Sequence, residues 1–278
     1  MANIFLRFPG GKDKALTLSY DDGVEQDIRL IDIMKKNGLK GTFNLNSGLY
    51  APEGTVYPEG QIHRLMTLAE CQELYKNSGM EVAVHGLTHP FLEKLPANIC
   101  NYEVLQDRIN LEKEYDCFVR GMAYPFGTYS DQVVDVLKQC GIIYSRTTEI
   151  TEGYDIPTDW LRLPATCHHN HPRLMELAER FLGPDRHGKP YLFYLWGHSY
   201  EFEADDNWNV IEEFAEYMGG RDNIWYATNI EIFDYITAYH QLIFSVADHK
   251  VYNPTCTELY FFREGQVYSV KPGETIVY

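Results

Sequence analysis

The sequence predicts an α/β fold: a (β/α) barrel of seven or eight strands with a small C-terminal antiparallel β appendage. Strand-like and helical segments alternate from about residue 15 to residue 242, which predicts parallel strands joined by right-handed crossovers. Seven or eight such units favour a barrel over an open sheet. After Val251 the helical periodicity stops, and strand-like segments follow one another with turns at Glu264-Gly265 and Pro272-Gly273.

Turn and capping residues delimit the elements of the barrel. Residues 15–20 alternate with period two and run into Asp21-Asp22-Gly23, the pattern of a strand that ends in a turn. Thr67 and Glu70 form a capping-box pattern, and Ser130 is predicted to cap a later helix. The predicted strands are 15–20, 41–46, 80–85, 119–124, 142–145, 161–165, 191–196 and 224–227. The predicted helices cover about residues 24–36, 67–77, 99–115, 130–140, 172–182, 208–218 and 229–242.

The chain is predicted to have two parts. Residues 1–244 form the barrel, whose last helix is predicted to be capped by Asn229, and residues 245–278 form a β-meander packed on the barrel. About 30 residues cannot bury much core alone, so a separate binding module is disfavoured. The segment from Ser47 to Met66 is rich in Gly, Pro and Tyr and is longer than a plain connection. Such a segment is typical of a lid or a binding loop.

Composition and charge exclude several classes of partner. The chain has 24 Lys and Arg against 40 Asp and Glu, a net charge of −16, and an acidic surface repels nucleic acid and anionic membranes. No apolar run approaches the roughly 18 residues of a membrane span. The N-terminus lacks a basic leader with an apolar core, so we expect a cytoplasmic protein. The six cysteines form no C-x-x-C pair, and we expect free thiols. The sequence does not indicate an oligomeric state.

Polar side chains follow several of the predicted strands directly. They are Asp21, Asp22, His85, His89, Tyr124-Pro125-Phe126-Gly127 and His198. In barrels of this type the active site lies at the carboxyl ends of the strands. We therefore expect these residues to share one mouth of the barrel.

Asp22, His85 and His89 have the composition of a hydrolytic zinc-type site, with two imidazoles, one carboxylate and a position open for water. Asp21 would then stand beside the metal as a general base. Taken singly, each motif has an ordinary explanation. Asp-Asp-Gly after a strand is commonly a turn, and a His-x-x-x-His pair can be coincidence among ten histidines. Their joint placement after the first and third strands favours the metal site.

These motifs resemble those of the polysaccharide deacetylases, carbohydrate esterase family four, whose domain is also called the NodB-homology domain. Thr17-Leu-Ser-Tyr-Asp-Asp-Gly23 resembles T-F-D-D-G, and His85-Gly-Leu-Thr-His89 resembles H-[ST]-x-x-H with glycine in the second position. Ala123-Tyr-Pro-Phe-Gly127 is similar to R-x-P-[FY]-G, and Trp196-Gly-His198 is similar to L-x-H. The resemblance covers about residues 13–244. It implies a distorted (β/α) barrel that uses a divalent metal ion to hydrolyse acetyl groups, usually N-acetyl groups, on sugars.

The resemblance implies a role for each matching residue. Asp21 is the general base, His198 is the general acid, and the backbone N–H of Phe126 stabilises the oxyanion. The implied metal ligands are Asp22, His85 and His89. We expect zinc, although Co²⁺, Ni²⁺ and Fe²⁺ also suit these donors. The expected substrate is an acetylated mono- or oligosaccharide, and the predicted substrate-binding residues are Tyr124, Pro125, Trp160, Arg162 and Trp196.

One residue of the family pattern is missing from its usual place. The third motif has an arginine that orients the base carboxylate, and this chain has Ala123 there. Arg162, near the end of a short predicted strand, is the first candidate to replace it, and Arg146 is the second. Asp159-Trp160 is the candidate for the fourth motif, a pocket Asp and Trp.

Two alternative functions stay open. One is a metal-independent amidohydrolase of the same fold that acts on a non-sugar amide, which the intact metal-ligand set disfavours. The other is a non-catalytic saccharide-binding domain, which the retention of Asp21 and His198 disfavours. The tract Cys167-His-His-Asn-His171 looks like a metal-binding sequence. Because the sequence offers it no partner, we interpret it as a polar loop that could scavenge metal.

Overall fold

A ring of parallel strands forms the barrel. The computed structural model describes residues 3–184 and 188–278, and strands are numbered along the chain from β1 (Phe5–Arg7), which lies outside the ring. The ring contains β2 (Lys14–Asp21), β3 (Gly41–Leu45), β4 (Glu81–Val84), β5 (Gly121–Ala123), β6 (Tyr144–Ile150), β7 (Leu163–Ala165), β8 (Cys167–His168) and β9 (Tyr191–Gly197). Each strand pairs in parallel with its neighbour, β7 with β6 and β8 with β9, and the β9–β2 pair closes the ring. Only Thr166 separates β7 from β8. The two therefore share one ring position, and the predicted barrel is confirmed.

Strand β2 is the centre of the sheet. Along one edge it pairs first with β10 (Ile224–Tyr226) and then with β3, and β9 pairs along its other edge. All eight residues of β2 are buried, as expected for a strand covered on both faces. This pairing fixes the position of Asp21, the last residue of β2, at the inner rim of the barrel.

Eight α-helices are present in the described residues. They are α1 (Asp27–Lys36), α2 (Leu68–Tyr75), α3 (Ala97–Tyr115), α4 (Asp131–Gln139), α5 (Leu174–Leu182), α6 (Ser199–Ala204), α7 (Asn209–Met218) and α8 (Asn229–Tyr239). Thr67 forms the predicted capping box, and Ser130 caps α4. The predicted cap Asn229 is wrong by one residue. Thr228 caps α8, while the Asn229 side chain bonds to Thr17 and Tyr194 in the core.

Short elements depart most from the sequence prediction. Strand β6 continues to Ile150 instead of ending at residue 145, and β8 lies where a loop was predicted. Helix α6 and strand β1 were not predicted, because segments this short show no periodicity. Two of these differences matter for the site, since β6 carries Arg146 and β8 carries His168.

The C-terminal strands form two antiparallel sheets, each of which includes one strand from the first 244 residues. They are β11 (Ile243–Phe244), β12 (Lys250–Tyr252), β13 (Leu259–Arg263), β14 (Gln266–Val270) and β15 (Thr275–Val277). Strand β13 lies between β1 and β14, and β12 lies between β11 and β15. The predicted antiparallel appendage is confirmed, whereas its boundary at residue 244 stays a prediction.

No helix in the described part of the chain combines the length and the apolar character that crossing a membrane requires.

Candidate active site

A cavity of about 290 Å³ opens at the carboxyl ends of the ring strands. Twelve residues line it: Asp21, Asp22, His85, His89, Tyr124, Phe126, Gly127, Arg146, Thr148, Trp196, His198 and Tyr200. The set includes most of the residues that the sequence singled out. Of the predicted substrate-binding residues, Pro125, Trp160 and Arg162 are not in the lining.

Asp22, His85 and His89 direct their polar atoms at one another. The two Nε2 atoms of the histidines are 3.1 Å apart, and Asp22 Oδ1 is 3.7 Å from that of His85 and 3.9 Å from that of His89. Metal–ligand bonds of about 2.1 Å set tetrahedral ligand atoms about 3.4 Å apart. His85 Nδ1 lies 2.8 Å from the carbonyl oxygen of Ala123, which leaves Nε2 unprotonated and available to a metal. The donors and their spacing fit a divalent metal ion.

The turns that hold the site use strained backbone. Asp22, His89 and Phe126 have positive φ angles of 82°, 53° and 58°, a conformation unfavourable for residues with a Cβ. The Phe126 ring stacks on Phe91 at 3.8 Å and meets the His89 ring edge-on at 4.5 Å. Three strained residues at one cavity indicate a function that requires this geometry.

Asp21 is a buried carboxylate held by two donors. Asn44 Nδ2 donates to Oδ1 at 2.8 Å, and the Arg146 guanidinium donates to Oδ2 in a buried ion pair. Burial by itself would raise the pKa of Asp21, but the charge of Arg146 and two nearby imidazoles outweigh it and hold the pKa below its ordinary value. Asp21 is therefore ionised and fixed in direction at neutral pH.

The expected order of the two replacement arginines is reversed in the structure. Arg162 pairs with Asp159 at 2.7 Å and Asp131 at 2.6 Å, near the surface and away from Asp21. Arg146 lies beside Ala123 in the parallel register of β5 and β6, so the guanidinium reaches Asp21 from the strand next to the one that carries Ala123. The sequence signal for Arg146 was a charged residue directly after the predicted strand 142–145.

His198 follows β9 and faces two carboxylates. Its Nε2 lies 3.7 Å from Asp21 Oδ2, and its Nδ1 lies 3.2 Å from Glu201 Oε1 in the first turn of α6. Burial disfavours the imidazolium, but the bond to Glu201 and the neighbouring aspartates raise the pKa of His198 above its ordinary value. A protonated His198 can serve as a proton donor to the cavity.

The remaining predicted residues take other places. Trp160 packs edge-on against Phe233 at 5.1 Å, and Asp159 caps the short turn that follows it. His63, which the sequence analysis did not single out, has Nε2 at 3.4 Å from Asp22 Oδ2. It belongs to the segment Ser47–Met66, so this segment contacts one of the cavity residues, while its role as a lid or binding loop stays a prediction. The one feature of the sequence that pointed to His63 was its place in this long segment.

Comparison with known proteins gives a family and a fold. Residues 9–145 match the family model described as polysaccharide deacetylase, and no curated protein matches the chain. A protein from Mycobacterium smegmatis, provisionally described as a polysaccharide deacetylase, is 14% identical with a TM-score of 0.57 over 86% of this chain and 95% of its own. The Xyl-CE4 domain of a multidomain xylanase from the hindgut metagenome of Trinervitermes trinervoides is 16% identical with a TM-score of 0.51. The match covers 82% of this chain and 92% of that domain. Streptococcus pyogenes deacetylase PplD, solved with acetate, is 23% identical with a TM-score of 0.47. The match covers 60% of this chain and 69% of that protein.

The first two structures share the barrel with this chain at low sequence identity and therefore bear on the fold. The family match spans the strands and turns that carry Asp21, Asp22, His85, His89 and Phe126. Through residues 9–145 and through this fold, the chain is similar to the polysaccharide deacetylase family of hydrolases.

Proposed function

We propose that this protein is a metal-dependent deacetylase that removes acetyl groups, N-acetyl groups first, from a mono- or oligosaccharide. Asp22, His85 and His89 would hold the divalent cation, which we expect to be zinc. The observation that carries the proposal is the joint geometry of one cavity, which is lined by a ligand triad, an ionised Asp21 and a protonated His198.

The chain's own residues handle the protons. When bound, a divalent cation acts as a Lewis acid toward the acetyl carbonyl and makes a water molecule more acidic. Asp21 accepts the proton of the attacking water, and Asn44 and Arg146 keep its carboxylate in one orientation. His198 donates a proton from Nε2 to the departing amine, with Glu201 holding the opposite nitrogen. The backbone N–H of Phe126 is the proposed donor to the oxyanion.

The cavity indicates the size of the substrate. A volume of about 290 Å³ is at the small end of ligand cavities, so we propose that it takes the acetyl group and one sugar ring. Tyr124 and Trp196 line it, and Tyr200 stands at the rim beside His63. The aromatic rings offer faces to the sugar, and the ionised groups lie at the acetyl end.

Acetate release tests the proposal directly. Metal-free protein is reloaded with zinc or cobalt and assayed on N- and O-acetylated saccharides, beside Asp22→Asn and the exposed control Asp32→Asn. We expect metal-dependent release that falls by about 10²-fold or more in Asp22→Asn, and little change in the control. Release that persists in the chelated protein would instead favour the metal-independent amidohydrolase. Saccharide binding without turnover would favour a binding domain.

A further inference from the structure

A second group of polar side chains lies beside the proposed active site. We call it the His168 cluster, and it consists of His168, His169, His198 and Glu201. His198 belongs to both places, because Nε2 faces Asp21 while Nδ1 faces the cluster. The other three residues are not in the lining of the catalytic cavity.

The topology of the barrel assembles the cluster. Strand β8 pairs with β9 so that His168 lies opposite Trp196, and the next residue, His169, donates its backbone N–H to the Trp196 carbonyl oxygen at 2.9 Å. His198 follows β9 directly and stands before α6. Glu201 is in the first turn of that helix, three residues after His198, and so turns back toward β8.

The polar atoms of the cluster are spaced like ligands. Glu201 Oε2 lies 3.1 Å from His168 Nε2 and 3.1 Å from His169 Nε2, and Glu201 Oε1 lies 3.2 Å from His198 Nδ1. His168, His198 and Glu201 each offer one ligand atom within 4.8 Å of the other two. Ligand atoms of a tetrahedral zinc site are about 3.4 Å apart, so a small movement of these side chains would admit an ion.

Two members of the cluster have unused hydrogen-bonding capacity. His169 is fully buried, and neither of its ring nitrogens makes a well-directed hydrogen bond within the described residues. Glu201 Oε2 contacts both imidazoles at 3.1 Å, but neither contact is a well-directed hydrogen bond. Buried polar atoms that are poorly satisfied in this way are unusual in folded proteins and call for an explanation such as an ion. The side chains of His168 and Glu201 are 19% and 25% exposed, so an ion can enter.

We propose that His168 Nε2, the Glu201 carboxylate and His198 Nδ1 form a second binding site for a divalent transition-metal ion of the zinc class, with His169 positioning the carboxylate. Imidazole and carboxylate donors suit zinc, cobalt, nickel and copper rather than magnesium or calcium. The tract that contains His168 and His169 thereby gains the partners that its sequence alone did not show.

The second site has a consequence for activity that rests on the proposed function. An ion on Nδ1 of His198 replaces the bond to Glu201 and withdraws the imidazole from its role as a proton donor. General acid catalysis contributes about 10²-fold or more to such reactions. Filling the second site is therefore expected to inhibit the enzyme that filling the first site activates.

Equilibrium dialysis of metal-free protein against zinc, with the bound metal counted by elemental analysis, tests the site without reference to activity. We expect about two ions per wild-type chain, about one in His168→Gln, about one in Asp22→Asn and none in the double variant. His171→Gln is the matched control, since His171 belongs to the same tract but pairs with Glu152 at 3.2 Å. It should bind about two ions. Cobalt spectra without thiolate bands exclude the cysteines as ligands.

One ion per wild-type chain, or an unchanged count in His168→Gln, would overturn the proposal. In the activity assay, we expect zinc beyond the first equivalent to lower acetate release about tenfold or more in the wild type and not in His168→Gln. Inhibition that persists in His168→Gln would refute the inhibitory role. Two bound ions with no acetate release from any substrate would keep the second site and refute the deacetylase proposal.

Discussion

A guanidinium can reach a given carboxylate from more than one strand of a barrel. The polysaccharide deacetylase motif has its arginine at the position of Ala123, and this chain has Arg146 at the paired position of the next strand. Both positions lie at the same height along the ring, which is why Asp21 keeps a buried guanidinium partner. Arg146 also lies over the Trp196 ring at 4.4 Å, so a wall of the cavity depends on the same side chain.

Replacing Arg146 tests whether this side chain positions Asp21 rather than binds the substrate. In Arg146→Lys the charge stays, but the planar donor that holds Asp21 is lost. We expect kcat to fall by about 10-fold or more with little change in KM and an unchanged metal content. Steady-state kinetics on the saccharide that the wild type deacetylates give kcat and KM, and elemental analysis gives the metal content.

Arg162→Lys is the control, and it should stay within about twofold of the wild type because Arg162 binds two surface carboxylates. A large loss of kcat in Arg162→Lys, or none in Arg146→Lys, would restore the assignment that the sequence favoured.

At the scale of single residues, the sequence predicted which groups meet and missed what holds them. Asp21, His85 and His198 are predictable because residues that follow parallel strands converge on one rim. The bonds from Asn44 and Glu201 depend on strand register and on the direction of a short helix. A single sequence records neither.

At the scale of elements, one buried carboxyl joins three helices. Asp27, in the first turn of α1, accepts hydrogen bonds at 2.6 Å from Tyr75 at the end of α2 and at 2.6 Å from Ser199 at the start of α6. Ser199 follows His198, so the contact also fixes the element that aims the proposed general acid. Burial raises the pKa of Asp27 to about 7 despite these hydrogen bonds.

The raised pKa predicts a pH-dependent stability difference. Between about pH 4 and pH 7 the unfolded chain loses the Asp27 proton while the folded chain keeps it, so this residue lowers wild-type stability as pH rises through that range. Asp27→Asn removes this effect. Its free energy of unfolding relative to the wild type should rise by a few kcal/mol from about pH 4 to pH 7 and then level off.

Urea unfolding at several pH values measures the difference, and Asp32→Asn on the exposed face of α1 is the control. A difference between Asp27→Asn and the wild type that does not change with pH would contradict the raised pKa.

Among the elements, length decided what could be predicted. The long helices and the apolar strands have clear periodicity, and their caps at Thr67 and Ser130 use local hydrogen bonds. Strands β1 and β8 contain three and two residues and exist only through distant partners. Such elements have no local signal to detect.

At the scale of the molecule, the C-terminal sheets share a core with the barrel. Phe261 on β13 is fully buried in a cluster that includes Leu6, Phe8 and Tyr235. We propose that residues 245–278 form an appendage that unfolds together with the barrel rather than a separate domain.

Phe261→Ala tests this coupling. Loss of a buried ring of this size costs about 3–5 kcal/mol, and in one cooperative unit the whole protein loses that stability. All four tryptophans precede residue 245, and Trp196 and Trp208 lie outside the cluster that contains Phe261, so tryptophan fluorescence follows the unfolding of the barrel. We expect its urea midpoint to fall in Phe261→Ala and to stay unchanged in Val267→Ala, whose side chain is exposed on β14. An unchanged barrel transition in Phe261→Ala would show that the appendage is independent.

The closed ring also decides when the protein can fold during synthesis on the ribosome. Strands β2 to β6 can pair as they emerge, but the free edge of β2 finds its partner only after residue 197 is made. Strand β1 precedes β2 in the chain but pairs with Phe262 and its neighbours, so it stays unpaired until residue 262 is made. The nascent chain therefore carries an open sheet edge for much of its translation, and an open edge of this kind is prone to pair with other chains.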